Sequence, residues 1–250
     1  MQIERLYRKK ILVVVPARGG SKRIHKKNIR KINNHPMIYW PLSVISELFE
    51  TKQTIVSTDC DEIMSVILET GLEIPFRRPV ALSGDFTITN EVIRHALQWY
   101  EKTFNKVDIV ITIYPTAVLL SKNDIIEAIK TIISDEHCDT VMSAARYQYP
   151  IQRAVYENAN GYAKMFNPEY YSARSQDLLP ASHDAGQFYV TRAATIRTQK
   201  PYIDEKLKLQ FIDADKVIDI DDMEDFQIAE KKLKYFKPRF EGFHWGKNAC

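Results

Sequence analysis

A short, strongly basic segment follows the first apolar run of the chain. It reads PARGGSKRIHKKN, spans residues 16–28 and contains no acidic residue; we call it the basic loop. Gly19 and Gly20 have no side chain, so we expect their backbone N–H groups to approach a ligand closely. Cationic side chains donate charge-assisted hydrogen bonds to anions, and this composition favours a diphosphate or triphosphate site. The five cations near the glycines are Arg18, Lys22, Arg23, Lys26 and Lys27.

The basic loop lacks the signatures of the common phosphate-binding loops. No Gly-Lys-Ser/Thr follows the glycines, as a Walker A loop requires, and a GxGxxG dinucleotide fingerprint is absent. A solvated surface loop whose charges serve solubility is the alternative interpretation. The position after a predicted strand favours ligand binding, because open α/β sheets bind ligands beyond the carboxyl ends of their strands.

Two aspartates near the end of the chain form a second candidate site. Asp219 and Asp221 lie two positions apart in the segment VIDIDDMED, and in extended backbone such residues share a face. Two carboxylates on one face suit Mg²⁺ that arrives with a phosphate. The alternative is helix capping by Asp221, because Glu224 follows it as in a capping box. Asp222 and Asp225 are expected to serve the helix N-terminus, where acidic residues are favourable.

The two candidate sites together predict chemistry on a nucleoside triphosphate. A cationic phosphate site and a pair of metal-binding carboxylates are the parts that such a reaction uses. Its catalysis depends mainly on positioning and on the neutralisation of charge.

The elements between these sites alternate between strands and helices. This alternation predicts a mostly parallel sheet with helices on both faces, in one domain spanning residues 1–236. Strands are predicted at 11–15, 53–59, 107–116 and 138–146, and helices at 37–49, 61–71, 90–104 and 121–135, the last with Ser121 as N-cap.

The alternation breaks at residues 147–183. This stretch has no helical period, is rich in Tyr, Asn and Pro, and contains an NANG hairpin signal at 158–161. We expect a β-rich excursion whose aromatic surface forms the interface of a C₂ dimer. Residues 184–196 are expected to return to the core, and further strands and a helix complete the domain. The C-terminal tail, residues 237–250, is expected to be loosely held.

Composition excludes several classes of protein. The net charge of +3 over 250 residues is too small for a nucleic-acid binder, and the positive charge is local. Three scattered cysteines without CxxC spacing argue against a zinc site or a disulfide framework. The first apolar run is too short for a signal peptide, and no stretch is long enough to span a membrane. We therefore expect a cytoplasmic protein.

Five segments occur in the order found in the acylneuraminate cytidylyltransferase (CMP-sialic acid synthetase) family, which activates nonulosonic acids. They are PARGGSKRIHKKN, IVSTD, RRPVALSGDFT, YPTA and IDIDDMEDFQIAE, and the resemblance runs from about Ile11 to Phe236. It implies a nucleotide-diphospho-sugar transferase (Rossmann-like) fold. The implied reaction joins CTP to a nonulosonic acid and releases pyrophosphate, with Mg²⁺ in a homodimer. The CMP-sugar would serve bacterial surface glycan or flagellin glycosylation.

The resemblance also assigns site residues. The implied catalytic cations are Arg18, Lys22 and Lys27. The implied CTP contacts are Ala17, Gly19, Ser21, Asn28 and Arg78, with Arg78 near the cytosine. The implied metal ligands are Asp219 and Asp221. The expected sugar contacts are Tyr114, His183, Gln187 and Arg174, the last reaching from the partner chain.

Departures from the family pattern point to one branch of it. Sialic acid enzymes typically read QPTSPLR where this chain reads YPTAVLL, so that Tyr114 replaces Gln and Leu120 replaces Arg. The segment HDAGQFYV at 183–190 and the segment at 166–177 resemble the pseudaminic acid cytidylyltransferase branch. Tyr114 and Leu120 predict a less polar pocket edge that suits the terminal methyl group of pseudaminic acid. The acid's carboxylate then needs another cation, either Arg174 of the partner chain or Lys22.

Other functions stay open at this point. The nearest alternatives are CMP-sialic acid, CMP-legionaminic acid or CMP-Kdo synthetases. A nucleotide-binding regulator without catalysis belongs to a different class, and the presence of both Asp219 and Asp221 counts against it. A nucleic-acid-binding module lacks support, because no aromatic-interleaved basic face is visible.

Overall fold

A six-stranded sheet forms the centre of the protein in a computed structural model, which describes residues 9–198, 203–237 and 239–245. The sheet is mostly parallel, with strand order 10-6-9-5-1-4. The described strands are β1 (Ile11–Pro16), β2 (Lys31–Ile32), β3 (His35–Pro36), β4 (Thr54–Ser57), β5 (Ile109–Ile113), β6 (Thr140–Arg146), β7 (Val155–Glu157), β8 (Ala163–Met165), β9 (Ser182–Arg192) and β10 (Leu207–Phe211).

Strand β9 gives the sheet its mixed character. It runs antiparallel to both of its neighbours, β5 and β6, whereas β1 is parallel to β4 and β5, and β10 is parallel to β6. The first residues of β9 therefore lie at the same edge of the sheet as the carboxyl ends of β1, β4 and β5. This arrangement brings a segment late in the chain to the edge where ligands are expected.

Helices cover both faces of the sheet, as the sequence predicts. The described α-helices are α1 (Tyr39–Leu48), α2 (Asp61–Leu68), α3 (Thr89–Thr103), α4 (Lys122–Ser134), α5 (Ala193–Arg197) and α6 (Met223–Phe236). Alternate residues of a strand point to opposite faces: Val13 packs in the core beneath α1 and α4, whereas Val14 packs in the core beneath α3. None of the described helices is both long enough and apolar enough to cross a bilayer.

One local prediction needs correction. Ser121 occupies the N-cap position of α4, but its side chain makes no capping hydrogen bond. The segment that holds the two aspartates, residues 217–221, belongs to no strand. Its two-residue spacing nevertheless leaves both carboxylates at one cavity, described below.

The predicted excursion is a small β-hairpin with irregular flanks. Strands β7 and β8 pair antiparallel, and the Asn158 side chain accepts hydrogen bonds from the backbone N–H groups of Asn160 and Tyr162. Gly161 completes the turn with a φ of +78°, which glycine adopts readily. The hairpin predicted from NANG is therefore confirmed.

The C-terminal tail is held more firmly than the sequence predicts. The indole N–H of Trp245 donates to the Thr70 carbonyl at 2.8 Å, and the Phe240 ring stacks on His35 with centroids 4.4 Å apart. Aromatic side chains at 240, 243 and 245 pack against the core. The expectation of a loose tail is wrong for these residues, because partial burial of three aromatic rings offsets the cost of ordering the chain. The rest of the predicted tail, residues 238 and 246–250, lies outside the described residues.

Candidate active site

A cavity of about 830 Å³ opens at the carboxyl edge of the sheet. Its walls come from the basic loop after β1, the segment before α3, the segment after β5, the start of β9 and the segment before α6. Residues from both candidate sites therefore share one space, as the sequence predicts. The predicted site residues that line it are Arg18, Ser21, Lys22, Lys27, Asn28, Arg78, Tyr114, Asp219 and Asp221.

The basic loop is folded back on itself by hydrogen bonds. The Asn28 amide donates to the Arg18 carbonyl at 2.9 Å, which ties the end of the loop to its beginning. Lys26 adopts a left-handed conformation with a φ of 52° and starts a single 3₁₀ turn. The Lys27 ammonium donates to the Ile220 carbonyl at 2.6 Å. Lys27 thereby joins the basic loop to the acidic segment, 193 residues away in sequence.

Gly19 has a different role from the predicted one. Its N–H donates to the Asp59 carboxylate at 2.9 Å and is already used within the protein. A Cβ atom at Gly19 would lie 2.7 Å from the Cβ of Cys60, closer than real Cβ contacts, whereas one at Gly20 would meet nothing within 4 Å. Glycine is thus required at 19 for packing against Cys60. Ala17, also expected at the nucleotide, is buried beneath the loop and does not line the cavity.

Three cations of the basic loop are paired with carboxylates inside the cavity. Lys22 lies 2.5 Å and Arg18 3.1 Å from the two oxygens of Asp85. Arg23 lies 2.8 Å from Asp221. The hydrogen bond from Lys22 lowers the pKa of the Asp85 carboxyl. Sequence reasoning missed Asp85, although it lies within the segment RRPVALSGDFT that carries the family resemblance.

Arg78 is a buried cation at the wall of the cavity. It is 4% exposed, and its Nε donates to the Ser57 hydroxyl at 3.1 Å while Nη2 donates to the Ser57 carbonyl. Burial lowers the pKa of the guanidinium to about 10, so Arg78 is charged at neutral pH. No described residue accepts a hydrogen bond from its Nη1. Arg78 is therefore fixed at the carboxyl end of β4 with donor capacity to spare.

The two aspartates fit a magnesium ion that arrives with a phosphate. Asp219 and Asp221 both line the cavity, and no described residue donates a hydrogen bond to the Asp219 carboxylate. Burial raises the pKa of Asp219, and the neighbouring Asp221 charge raises it further, so a cation there would relieve both effects. Within the described ranges, no three His, Cys, Asp or Glu side chains are grouped to hold a metal alone. Mg²⁺ commonly uses one or two carboxylates together with substrate phosphates and water.

Helix capping does not compete for these carboxylates. Asp222 is the N-cap of α6, and its side chain accepts from the backbone N–H groups of Glu224 and Asp225. Asp225 in turn accepts from the Asp222 N–H and completes the capping box. The alternative in which Asp221 caps the helix is therefore wrong, whereas the predicted role of Asp222 and Asp225 is confirmed. Asp221 keeps its side chain at the cavity.

Tyr114 lines the cavity, as expected for a residue that contacts the sugar. Its hydroxyl donates to the Thr89 hydroxyl at 3.3 Å, and its ring meets the Tyr189 ring edge to face at 6.2 Å. Burial raises the pKa of the Tyr114 phenol, so it is neutral at physiological pH. Leu120 is 0% exposed and packs in the core. The predicted apolar edge therefore receives Tyr114 but not Leu120.

The other three predicted sugar contacts do not line the cavity of this chain. Gln187 is 2% exposed, and its amide donates to the Lys216 carbonyl at 2.9 Å. His183 points away, with its Nδ1 at 2.8 Å from the Asp184 carbonyl. Arg174 pairs with Asp177 on the excursion, and its proposed reach into a partner's site stays a prediction.

Asp184, next to His183, lines the cavity instead. Neighbours in a strand face opposite sides, so the dipeptide HD placed one of its two side chains at the site, and the prediction chose the wrong one. Counting back along β9 would not have found Asp184, because residues 187–191 are all buried and the register with β6 shifts before Asp184.

Comparisons with known proteins agree with this geometry. The family described as cytidylyltransferase matches residues 12–237. A pseudaminic acid cytidylyltransferase of Campylobacter jejuni (strain 81-176) is 34% identical over 229 residues, which cover 88% of this chain and 95% of that protein. A CMP-N,N'-diacetyllegionaminic acid synthase of Campylobacter jejuni is 44% identical over 96 residues, which cover 38% of this chain and 40% of that protein.

The fold is shared with a solved nucleotidyltransferase. The structure of CMP:2-keto-3-deoxy-manno-octonic acid synthetase complexed with CTP superposes with a TM-score of 0.65 at 15% identity, over 90% of this chain and 99% of that one. At that identity the likeness establishes the architecture alone. The family match over most of the chain and the 34% identity establish more: this chain belongs to the cytidylyltransferase family.

Proposed function

We propose that this protein transfers CMP from CTP to the anomeric hydroxyl of a nonulosonic acid, with pseudaminic acid as its acceptor. The observation that carries the proposal is the convergence of the basic loop and the two aspartates on one cavity. The 34% identity to a pseudaminic acid cytidylyltransferase over most of both chains supports the acceptor. The product would supply bacterial surface glycan or flagellin glycosylation.

The chemistry is an in-line displacement at the α-phosphorus of CTP. The anomeric oxygen forms the new P–O bond and loses its proton to solvent, and the bond from the α-phosphorus to the bridging oxygen breaks. Pyrophosphate leaves with the bond electrons, so negative charge grows on the β-phosphate. Arg18 and Lys22, at the cavity wall, would neutralise that charge, which is the largest contribution such a site can make.

Asp219 and Asp221 are the proposed ligands of the magnesium ion. When bound, Mg²⁺ would withdraw charge from the phosphate oxygens and make the phosphorus easier to attack. Lys27, held at the Ile220 carbonyl between these carboxylates, keeps the basic loop and the acidic segment in a fixed relation. Arg78 would use its free donor capacity on an acceptor atom of the cytosine, beside the end of β4.

A homodimer built on the excursion is part of the proposal. Ten large apolar or aromatic side chains between 147 and 179 are exposed in the single chain, and such a surface is unusual for a monomer. A second copy of this chain, related by a two-fold axis, is the proposed occupant. Static light scattering at micromolar concentration should give about twice the chain mass of 29.1 kDa. A mass of one chain would contradict the dimer.

We assign the enzyme to the cytoplasm, where CTP is made.

The function is tested by pyrophosphate release from CTP and Mg²⁺ with a panel of acids. Pseudaminic acid should be used with at least about tenfold higher kcat/KM than N-acetylneuraminic acid, a difference within reach of one unmatched buried polar group. Equal or better use of N-acetylneuraminic acid would overturn the choice of acceptor. CTP binding without turnover of any acid would instead favour a non-catalytic regulator.

The same panel tests a second acceptor. The 44% identity to a diacetyllegionaminic acid synthase over 96 residues favours legionaminic acid as the alternative. Highest kcat/KM for that acid would place the protein in the legionaminic branch and leave the cytidylyltransferase reaction unchanged. If the highest kcat/KM is found with Kdo, the proposal that the acceptor is a nonulosonic acid would be overturned.

A further inference from the structure

The order of strands separates the cavity into two parts. Arg78 is bonded to Ser57 at the end of β4, and the basic loop follows β1, so the proposed base and triphosphate contacts lie over β4 and β1; we call this part the nucleotide half. Next in the sheet come β5 and β9, which contribute Tyr114 and Asp184. We call this part the acceptor half, since space for the acid remains there. The inference below rests on the proposed function.

The backbone of β9 brings Asp184 to the acceptor half. Because β9 is antiparallel to its neighbours, its beginning lies at the carboxyl edge, where Asp184 pairs with Ala144 of β6. The register shifts between Met142 and Ala144, and such irregularities re-aim side chains near active sites. Asp184 lines the cavity, whereas the His183 ring packs against the ring of Tyr147.

Internal donors hold the Asp184 carboxylate in place. Its Oδ1 accepts from the Gly186 N–H at 2.8 Å, and its Oδ2 accepts from the Tyr189 hydroxyl. Gly186 has a φ of +64°, a conformation that favours glycine and lets the chain curl around the carboxylate. A carboxylate offers about four acceptor positions, so capacity remains on the cavity side.

No cation of the described chain pairs with Asp184, and it does not join the aspartates at 219 and 221 in a three-ligand metal group. A carboxylate repels the triphosphate and also the carboxylate of the acid. The group that it can receive is a hydrogen-bond donor, either an N–H or an O–H. An acid bound beside Asp184 would keep its own carboxylate away from this charge.

We propose that Asp184 is a specificity residue that accepts a hydrogen bond from an acylamino N–H or a hydroxyl of the acceptor acid. An acid with a donor at the matching position fills the free acceptor positions of this half-buried carboxylate, and one without such a donor leaves them unfilled. Sites built to pair with a polar group discriminate strongly against substrates that lack it. Tyr189 is a positioning residue, which acts by holding the carboxylate.

The test compares Asp184→Asn with Tyr189→Phe. The amide oxygen introduced by the first substitution can still accept from the Gly186 N–H, so the turn is kept while the charge and half of the acceptor capacity are lost. Initial rates should show a KM for pseudaminic acid at least about tenfold higher, a kcat within about threefold, and a KM for CTP within about twofold, because a lost bond to a charged group acts on binding. Tyr189→Phe keeps the carboxylate and should raise the KM for the acid by no more than about threefold.

Three results would overturn the proposal. An unchanged KM for the acid in Asp184→Asn removes Asp184 from recognition. A collapse of kcat at unchanged KM makes it a proton acceptor, and an equal rise of both KM values, with a lowered melting temperature, makes its role structural. The wild-type rate distinguishes a failure of the proposed function from a failure of this inference. If the wild type turns over no acid, both are overturned. If the wild type is active and Asp184→Asn behaves like it, only the inference is overturned.

Discussion

The nucleotide half and the acceptor half of the cavity fix their polar groups in opposite ways. In the nucleotide half, Arg18 and Lys22 are paired with Asp85, so cations are held by an internal anion. In the acceptor half, Asp184 is held by the neutral donors of Gly186 and Tyr189. A triphosphate must replace Asp85 as the partner of these cations in order to bind, whereas an acceptor acid meets the Asp184 carboxylate already oriented.

This difference has an energetic reason. Ion pairs between partly exposed side chains contribute only about 0–1 kcal/mol each, and Arg18, Lys22 and Asp85 are all partly exposed. A triphosphate with several negative charges can therefore displace Asp85 at small cost. Until then Asp85 keeps like-charged side chains of the loop close together without mutual repulsion.

The largest expected effect follows from removal of the metal. We expect EDTA to abolish pyrophosphate release, and Asp221→Asn to lose most activity with partial recovery at high Mg²⁺, because one of the two proposed ligands is weakened. Initial rates across a Mg²⁺ titration measure this. Full activity in EDTA would limit the two aspartates to a structural role and remove the metal from the cavity.

The next effect is that of a cation in the basic loop. Lys22→Ala should lower kcat by about 10²–10³-fold, since loss of one preorganised donor costs about 3–4 kcal/mol. Lys26→Ala is the matched control, because Lys26 pairs with Glu62 and lies outside the cavity lining. Both variants should melt like the wild type. Near-normal turnover in Lys22→Ala would exclude the loop from catalysis.

The two glycines of the basic loop provide a matched pair for stability. Gly19→Ala should destabilise the protein by about 1–3 kcal/mol, as overpacking does, because its Cβ would lie 2.7 Å from that of Cys60. Gly20→Ala has open space around it and should have an unfolding free energy near that of the wild type. Urea unfolding of both variants measures the difference. Equal stability would contradict the packing role of Gly19.

The smallest effect is expected from the internal anion. Asp85→Asn should bind pyrophosphate about three to ten times more tightly than the wild type, because the ligand no longer competes with a carboxylate for Arg18 and Lys22. Calorimetric titration at low and high salt measures the gain, which should shrink as salt screens the charges. Weaker binding would show that Asp85 helps to hold the ligand instead of competing with it.

The two halves also differ in how far the sequence predicts them. The nucleotide half depends on thirteen consecutive residues, 16–28, whose charges and glycines stand out without any knowledge of the fold. Asp85 escaped prediction because its role depends on a contact with a loop that lies more than 60 residues earlier. The strands and helices were predicted correctly where their apolar periods are long, as in α3 and α4.

The acceptor half is harder to predict, because it is assembled from strands that are distant in sequence. Whether His183 or Asp184 faces the cavity depends on the register of β9. Likewise, Leu120 is buried in the core, whereas Tyr114 of the same motif lines the cavity. The tail was misjudged for a related reason: Trp245 bonds to the Thr70 carbonyl, 175 residues earlier, which only the folded chain brings within reach. Such placements follow from tertiary packing, which local pattern does not contain.

The central claim is that this cavity joins CMP from CTP to a nonulosonic acid. The most direct measurement is ³¹P NMR of the wild-type protein with CTP, Mg²⁺ and pseudaminic acid. The account predicts that the three CTP signals decline while one phosphodiester signal and free pyrophosphate appear in equal molar amounts. Release of CDP and phosphate, or no change in the CTP signals with any acid of the panel, would contradict it.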